Sequence, residues 1–290
     1  MPKCIMLVGP PGSGKSTMAR KMATENGIEY FNQDSQGKGH LHDFDMAIFD
    51  KKDVIVDRMN FNKQQRSRYL DLAKKYGYET EIIVLHQNWE TCFKRVMARQ
   101  GHETINDEKA ARGALATFFG KYERPEPGEA DQITMIYPAG PREKVIVCDL
   151  DGTLCDVEHR RHHVRKPAGE KKDWVSFFKE IPNDPIYQWC ADIINNFKTQ
   201  GVRTVFCSGR GTNEQRNTKE WLEKHGFGDN PLYMRDRHDS RQDSIVKEII
   251  LDFELLTRYQ PYFMLDDRDQ VVQMWRRRGF ICLQVQEGDF

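Results

Sequence analysis

Two short segments of the chain combine glycine with residues that bind or transfer phosphate. The first, GPPGSGKS, runs from Gly9 to Ser16 and fits the pattern GxxxxGKS. Its glycines let successive backbone N–H groups point inward and hold phosphate oxygens at the N-terminus of a helix. The second, DLDGT, runs from Asp149 to Thr153 and contains two carboxylates. Together the segments predict two separate phosphate chemistries in one chain.

The first segment predicts a site for ATP and Mg²⁺. In this pattern Lys15 contacts the β and γ phosphates, and the Ser16 hydroxyl is a ligand of Mg²⁺. A glycine-rich turn that matches by chance is the alternative, and the strand and helix predicted on either side argue against it. The residues expected to bind the nucleotide are Gly9, Gly12, Ser13, Gly14, Lys15, Ser16 and Thr17.

The acceptor of such a phosphate would be activated by a carboxylate. Asp34 and Asp57 each follow a predicted strand, so both should face the same crevice of a parallel sheet as the glycine-rich segment. One of them would accept the proton of an attacking hydroxyl. A turn or helix-capping aspartate is the alternative at both positions.

Three arginines follow later in this half. Arg95 and Arg99 are four residues apart, hence on one face of a helix, and Arg112 lies on the next predicted helix. By closing over ATP, they would neutralise charge in the transition state. The same spacing is ordinary on a solvent-exposed helix, so both interpretations stay open.

In the second half, the two aspartates of DLDGT suit the removal of phosphate. Asp149 would attack phosphorus and form an aspartyl-phosphate, while Asp151 would protonate the leaving oxygen and later activate water. Because a carboxylate and a phosphate repel each other, a cation such as Mg²⁺ must bridge them. Asp266 and Asp267 end a later predicted strand and would hold this cation together with the DLDGT carboxylates.

Further polar residues repeat the order of a strand followed by a catalytic group. Ser208 and Arg210 end one predicted strand, and Lys247 lies in a predicted helix. Ser208 would hydrogen-bond the phosphoryl group, and Lys247 would offset the negative charge of the covalent intermediate. Acidic pairs in surface loops would not produce this order, so the pattern favours a second phosphate-binding site.

Short apolar runs alternate with longer amphipathic segments along the chain, in the β-then-α order of parallel-sheet α/β domains. The order breaks between Arg124 and Arg142, where prolines and glycines interrupt regular structure. We therefore predict a first domain over residues 1–124, a linker over 125–142 with one short strand, and a second domain over 143–290.

The bulk composition limits the partners and the location of the chain. Its 290 residues include 44 Lys plus Arg and 44 Asp plus Glu, so the chain has no net positive charge to attract a nucleic acid. A nucleic acid would have to bind through local clusters of basic residues. Seven cysteines without a CxxC pair predict thiols in a reducing compartment. No stretch approaches the roughly 18 apolar residues of a membrane helix. We predict a cytoplasmic protein that does not enter a membrane.

With these motifs, the chain resembles the bifunctional polynucleotide 5′-kinase/3′-phosphatases of T-even bacteriophages, in which a P-loop kinase precedes a phosphatase of the haloacid-dehalogenase superfamily. The likeness spans nearly the whole chain and is strongest in DDRDQVVQMWRRRGF, from Asp266 to Phe280. It implies an α/β fold, with a P-loop parallel sheet followed by a haloacid-dehalogenase-like Rossmannoid domain. It also implies phosphate transfer from ATP to 5′-hydroxyl ends of DNA or RNA, removal of 3′-phosphates, a homo-oligomer, and a ligase that acts afterwards.

The resemblance also implies roles for single residues. Asp34 corresponds to the general base of the kinase and Arg112 to a lid arginine, while Asp149 and Asp151 correspond to the nucleophile and the acid/base of the phosphatase. Phosphate-binding or metal-binding positions of the family fall on Arg160, Ser208, Arg210, Asp243, Lys247, Asp266 and Asp267.

The stretch after Asp34 departs from the phage pattern. Gly37 stands where the family has an arginine that binds the acceptor, and Lys38 would take its place. Lysine lacks the planar fork of arginine, so the acceptor geometry should differ. The segment from Asp57 to Asn62 is longer than in the phage pattern, which leaves the roles of Asp57 and Asn60 in acceptor binding open.

Three hypotheses of function remain. The leading one is an enzyme that converts 5′-hydroxyl and 3′-phosphate ends into ends that a ligase can join. The second is a small-metabolite kinase fused to an unrelated phosphatase, which would bind no oligonucleotide. The third is a nucleotide-gated binding protein with a decayed kinase site, which would bind ATP without transferring phosphate.

Overall fold

The computed structural model describes residues 1–98, 107–167 and 169–288. The chain forms two compact units, Met1–Gly140 and Pro141–Phe290. Each unit contains one five-stranded sheet whose paired strands are all parallel. The predicted α/β class is therefore confirmed. Among the described residues, no helix has both the length and the apolar character needed to cross a bilayer.

The sheet of the first unit has the strand order β2-β3-β1-β4-β5. Its strands are β1 (Lys3–Val8), β2 (Glu29–Phe31), β3 (Val54–Asp57), β4 (Glu79–Leu85) and β5 (Gln132–Ile136). The helices described between them are α1 (Lys15–Asn26), α2 (Gln33–Gln36), α3 (His40–Phe49), α4 (Lys63–Lys75), α5 (Trp89–Met97) and α6 (Glu108–Lys121). The central strand β1 is buried over all but its first residue, as expected for a parallel strand covered on both faces.

The range 125–142, predicted as a linker, contributes its strand β5 to the sheet of the first unit. Backbone hydrogen bonds pair β5 with β4 in parallel, from Glu81 with Gln132 to Leu85 with Ile136. This pairing ties most of the range to the first unit, so that unit extends to Gly140 and not to residue 124. Prolines and glycines flank β5 without preventing a short edge strand.

The sheet of the second unit has the strand order β10-β9-β6-β7-β8. Its strands are β6 (Glu143–Cys148), β7 (Arg203–Gly211), β8 (Leu232–Arg235), β9 (Tyr259–Asp266) and β10 (Cys282–Gln284). The helices described are α7 (Glu158–Arg161), α8 (Trp174–Lys179), α9 (Gln188–Thr199), α10 (Gln215–Lys224), α11 (Asp243–Ile250) and α12 (Asp269–Arg277). Buried apolar side chains form two separate clusters, one around Phe206 and Trp221 and the other around Met264 and Trp275.

The three neighbouring strands β9, β6 and β7 position the polar residues of the second unit. The carboxyl ends of parallel strands meet at one edge of a sheet. Asp266 is the last residue of β9, Asp149 directly follows β6, and Ser208 lies near the end of β7. The order of strands therefore brings together residues that lie far apart in the sequence.

Candidate active sites

The phosphate loop, residues 9–16, joins β1 to α1 in a conformation that requires glycine. Gly12 and Gly14 have φ values of 84° and 101°, a region that favours glycine. A Cβ on Gly12 would also lie 2.5 Å from the backbone oxygen of Cys92. Gly14 precedes the first residue of α1, so the loop lies at the N-terminus of that helix.

The side chains of the loop are arranged around a space that suits an anion. Lys15 is buried, and its Nζ donates a hydrogen bond of 2.8 Å to the carbonyl oxygen of Pro10. The Ser13 hydroxyl is buried without a hydrogen-bond partner in the described part of the chain. Ser16 and Thr17 lie in the first turn of α1. These positions fit phosphate oxygens held by the loop and by the helix start.

The arginines predicted to face ATP have different surroundings. Arg95 lies on α5, and its Nη1 donates to the carbonyl oxygen of Gly12 at 3.4 Å, so it contacts the phosphate loop. Arg112 lies on α6, where it donates to the Glu108 carboxylate at 2.8 Å and covers the ring of Phe93 at 4.6 Å. Arg99 lies outside the described residues.

Asp57, the last residue of β3, and Asp34, in α2 after β2, differ sharply in burial. Asp57 is buried, and its Oδ2 accepts hydrogen bonds from the Tyr30 hydroxyl at 2.7 Å and from Asn32 Nδ2 at 2.8 Å. The Oδ1 atom of Asn32 caps α2 by accepting the N–H of Asp34 at 2.7 Å. The Asp34 side chain is exposed. Asn32, which was not predicted from the sequence, therefore connects a buried structural acceptor to an accessible carboxylate.

Asn60 connects the segment after β3 to the strand that precedes the phosphate loop. Its backbone adopts the left-handed region with φ of 46°. Its Nδ2 donates to the Leu7 carbonyl oxygen at 2.8 Å, and the backbone oxygen of Met59 accepts the N–H of Gly9 at 3.2 Å. Asn60 and its neighbour Met59 thus support the end of β1 and the start of the loop. The Lys38 side chain lies outside the described structure.

In the second unit, Lys247 lies among buried carboxylates. Its Nζ is 2.8 Å from Asp149 Oδ1, 2.9 Å from Asp266 Oδ2 and 3.6 Å from Asp243 Oδ2. Burial would lower the pKa of Lys247, but the charges of Asp149, Asp266 and Asp243 outweigh burial and raise its pKa well above the ordinary value. The lysine is therefore a permanent positive charge beside the predicted nucleophile.

Asp149, Asp266 and Asp267 form a carboxylate cluster whose ligand oxygens lie within 4.8 Å of one another. The cluster fits a divalent cation, because hard oxygen ligands are those that Mg²⁺ and Ca²⁺ prefer. Asp267 Oδ2 is also buried without a hydrogen-bond partner in the part of the chain that the structure describes. A Cβ at position 152 would overlap this oxygen, so glycine there leaves room for the Asp267 carboxylate.

Electrostatic repulsion within the carboxylate cluster indicates the same kind of ligand. Burial raises the pKa of Asp267 to about 7, and the neighbouring Asp266 adds to the shift. Burial also raises the pKa of Asp149 well above its ordinary value; Lys247 opposes this shift, whereas Asp266, Asp267 and Asp243 reinforce it. A cation would relieve this repulsion.

The Asp151 carboxylate lies apart from the carboxylate cluster. Its Oδ1 is 2.5 Å from the Nη2 atoms of both Arg160 and Arg210. Burial alone would raise the pKa of Asp151, but the charges of Arg210 and Arg160 hold it well below its ordinary value. The structure places Asp151 in a separate group with Cys155 and Asp184 and not with Asp149, Asp266 and Asp267, and the arginines keep its carboxylate ionised.

Asp184 binds both arginines and was not predicted from the sequence. It accepts two hydrogen bonds of 2.6 Å from Arg160, one at each carboxylate oxygen, and one of 3.1 Å from Arg210. Its backbone oxygen also accepts the indole N–H of Trp221 at 2.9 Å. Bidentate pairs of this kind fix the plane of the guanidinium group. Asp184 therefore orients the two arginines that contact Asp151.

Ser208 and Asp243 complete the second site. Ser208 is fully buried, and its Oγ accepts the backbone N–H of Arg210 at 3.2 Å. Asp243 begins α11 and lies 3.1 Å from Arg235 and 3.6 Å from Arg268. Asp149, Asp151, Arg210, Asp243 and Asp267 line one cavity of about 540 Å³.

The two units of the chain match different protein-family profiles. The family profile of the polynucleotide kinase PNKP phosphatase domain matches residues 143–290, just over half of the chain. A profile described as AAA domain matches residues 38–125, and one described as ATPase family associated with various cellular activities matches residues 5–65.

Among the proteins that are similar to the chain are two curated proteins and one solved structure. The bifunctional polynucleotide phosphatase/kinase of Schizosaccharomyces pombe is 27% identical over 124 residues, 42% of this chain and 30% of that protein. The cytidylate kinase of Ignicoccus hospitalis is 30% identical over 126 residues, 39% of this chain and 72% of that protein. A chain of the Pnkp1/Rnl/Hen1 RNA repair complex is 26% identical with a TM-score of 0.44, and the match covers all of this chain and 97% of that one.

The chain spans less than a third of the length of the fission yeast relative. The profile match, by contrast, covers the entire second sheet and every residue of the carboxylate cluster. The phosphate loop and the parallel sheet of the first unit are those of a P-loop kinase domain. The chain therefore belongs to the PNKP polynucleotide kinase phosphatase family.

Proposed function

We propose that this protein prepares broken nucleic-acid ends for joining by a ligase. The first unit transfers the γ-phosphate of ATP to a 5′-hydroxyl end, and the second removes a 3′-phosphate. The observation that carries the proposal is the contact of Lys247 with both Asp149 and Asp266, in a chain that also has a complete phosphate loop. The family of the second unit and the fission yeast relative support it.

Phosphate removal begins with the carboxylate oxygen of Asp149. It attacks the phosphorus of the 3′-phosphate and forms an acyl-phosphate bond, while the bond between phosphorus and the 3′-oxygen breaks. Lys247, 2.8 Å from the nucleophile, offsets the negative charge that builds up. Asp149, Asp266 and Asp267 would hold Mg²⁺, which when bound screens the attacking carboxylate from the charge of the phosphate.

Asp151 supplies a proton in the first step and accepts one in the second. In the structure its carboxylate is bound by Arg160 and Arg210 and is ionised. Arg210 also lines the cavity, so a substrate phosphate would attract it, and its partial withdrawal from Asp151 would raise the pKa of Asp151 so that it binds a proton for the 3′-oxygen. The ionised form then removes a proton from the water that hydrolyses the aspartyl-phosphate, which regenerates Asp149.

Phosphate transfer in the first unit uses Lys15 and Asp34. Lys15 lies in the loop that holds the β and γ phosphates, with Ser16 as the hydroxyl that would ligate Mg²⁺. Asp34 is the accessible carboxylate and would take the proton of the 5′-hydroxyl, whereas Asp57 is already bound by two donors. Arg95 contacts the loop and would neutralise charge on the transferred phosphoryl group.

A second candidate acceptor is a nucleoside monophosphate. The similarity of the chain to a cytidylate kinase, over 72% of that protein, favours it. Under this alternative the first unit would phosphorylate free CMP or a related nucleotide and would not bind an oligonucleotide.

One assay tests both candidates. We would incubate the protein with γ-labelled ATP, Mg²⁺ and oligonucleotides that carry a 5′-hydroxyl and a 3′-phosphate, in DNA and RNA form, with and without excess CMP. The proposal predicts label on the 5′ end, release of the 3′-phosphate, and loss of both on chelation of the cation. Label on CMP alone would support the alternative and reject the 5′-kinase.

A further inference from the structure

The cavity that contains Asp149 and Asp151 extends to an aromatic surface whose role is not explained by phosphate chemistry. Trp174 and Phe178 on α8 line it together with the two aspartates. The cavity volume of about 540 Å³ lies within the range of about 300–1,000 Å³ that is typical of organic-ligand sites. A terminal phosphate alone needs neither this volume nor an aromatic wall.

Trp174 presents a ring to the cavity and is held in place. It is 41% exposed, whereas Phe177 of the same helix is buried and packs the helix against the core. The Trp174 and Phe178 rings lie 5.8 Å apart at 24° to each other, and Trp174 meets Phe177 edge-on at 5.6 Å. The Asp173 side chain caps the helix by accepting the N–H of Ser176 at 3.0 Å. The exposed ring is thus fixed by its neighbours.

The aromatic surface is connected to the catalytic machinery through Phe177. The guanidinium of Arg160 lies 4.1 Å from the Phe177 ring centroid, and its Nη1 donates to the Phe177 carbonyl oxygen at 3.4 Å. Arg160 in turn binds Asp151 at 2.5 Å. These contacts therefore fix the position of the aromatic surface relative to Asp151. A ligand with a flat ring a few bonds from its phosphate would occupy both.

Basic side chains lie in the same cavity. Lys172 places its Nζ 5.7 Å from the Trp174 ring centroid, and Arg237 also lines the cavity. The combination of a nucleophile, an exposed indole and basic groups suits a polyanion that ends in a base. Bases stack on aromatic side chains whatever their identity, because each has a flat π face.

We propose that Trp174, backed by Phe178, is the stacking surface for the 3′-terminal base of the substrate. This inference rests on the proposed function and specifies how the phosphatase distinguishes a nucleic-acid end from other phosphate esters. Because the surface offers rings and not a set of hydrogen-bond donors, it binds every base.

The test compares two oligonucleotides that differ only in the last nucleotide. Both carry a 3′-phosphate, but one ends in a normal nucleotide and the other in an abasic sugar. Trp174→Ala should lower kcat/KM by roughly 10- to 100-fold on the normal end. On the abasic end the wild type and the variant should agree within about twofold. Trp174→Phe should restore most of the loss, because phenylalanine still stacks.

Trp189 provides the matched control, because it is 40% exposed in the same unit and does not line the cavity. Trp189→Ala should leave both substrates unaffected. An equal loss on normal and abasic ends in Trp174→Ala would overturn the stacking role, as would no loss on either. If the wild type hydrolyses glycerol phosphate but neither oligonucleotide, the proposed function itself fails, and that outcome is distinct from a failure of stacking alone.

Discussion

The acceptor side of the first unit and the nucleophile side of the second differ in how much of the site is assembled without substrate. In the second unit Asp149, Lys247 and Asp266 are buried and joined at 2.8 and 2.9 Å. In the first unit Asp34 is exposed, and its carboxylate has no hydrogen-bond partner among the described residues. The fold itself supplies the electrostatics of phosphate removal, whereas phosphate transfer depends on ATP and the acceptor to complete the site.

Because of this difference, we expect phosphate removal and phosphate transfer to respond differently when a charged side chain of the site is removed. A buried charged network is held together by its own members, so removing one leaves the others unpaired in a medium that solvates them poorly. An exposed carboxylate is solvated by water, and its removal affects only the reaction that needs it. Substitutions in the second unit should therefore change both stability and rate, whereas Asp34 should change rate alone.

The largest effect is expected for Lys247→Met. The substitution keeps the length of the side chain but removes the charge that offsets Asp149, Asp243 and Asp266. We expect phosphatase activity to fall by at least about 10³-fold, and the unfolding free energy of the second unit to fall by about 3–5 kcal/mol. Thermal unfolding with and without Mg²⁺ measures the second value. An unchanged melting temperature would contradict the buried network.

The next comparison is between two aspartates of the first unit. Asp34→Asn should lower kinase activity by roughly 10²- to 10³-fold with ATP binding and melting temperature unchanged, because it removes only a base. Asp57→Ala should cost about 1–3 kcal/mol of stability, since it leaves the Tyr30 hydroxyl and the Asn32 amide without their acceptor. Calorimetry measures the stability of each variant, and a γ-phosphate transfer assay measures its kinase activity. The opposite pattern would assign the base to Asp57.

A smaller effect is expected for Asp184→Asn. Asparagine keeps the shape but loses the charge that holds Arg160 and Arg210 beside Asp151. Phosphatase kcat should fall by roughly 10- to 100-fold while kinase activity is retained. Asp192→Asn, on the exposed face of α9, is the matched control and should change neither activity. Equal phosphatase rates in the two variants would remove Asp184 from the site.

The strand ends that form the second site could be predicted from the sequence because each follows a short apolar run. Asp149 after β6, Ser208 on β7 and Asp266 on β9 all obey this pattern. Parallel pairing then brings them to one edge of the sheet. The phosphate loop could be located for a similar reason, because its pattern lies between a strand and a helix.

Asp184 and the edge strand of the second sheet could not be predicted from the sequence around them. The hydrogen bond between Arg160 and Asp184 joins residues that are 24 positions apart in the sequence. Asp184 is not part of a motif or of a periodic pattern that would indicate its role. The edge strand β8 (Leu232–Arg235) contains a short apolar run of three residues, was not predicted, and is only partly buried. It pairs with β7, which continues to Gly211, past Ser208 and Arg210. Burial and pairing between distant segments determined these features.

The most direct test of the two-site account is a reciprocal pair of substitutions in the full chain. Lys15→Ala should abolish transfer of γ-phosphate to 5′-hydroxyl ends and leave 3′-phosphate removal at the wild-type rate. Asp149→Asn should do the reverse, and an equimolar mixture of the two variants should restore both reactions. A single substitution that abolishes both reactions, with the fold intact by circular dichroism, would contradict the assignment of the two activities to separate units.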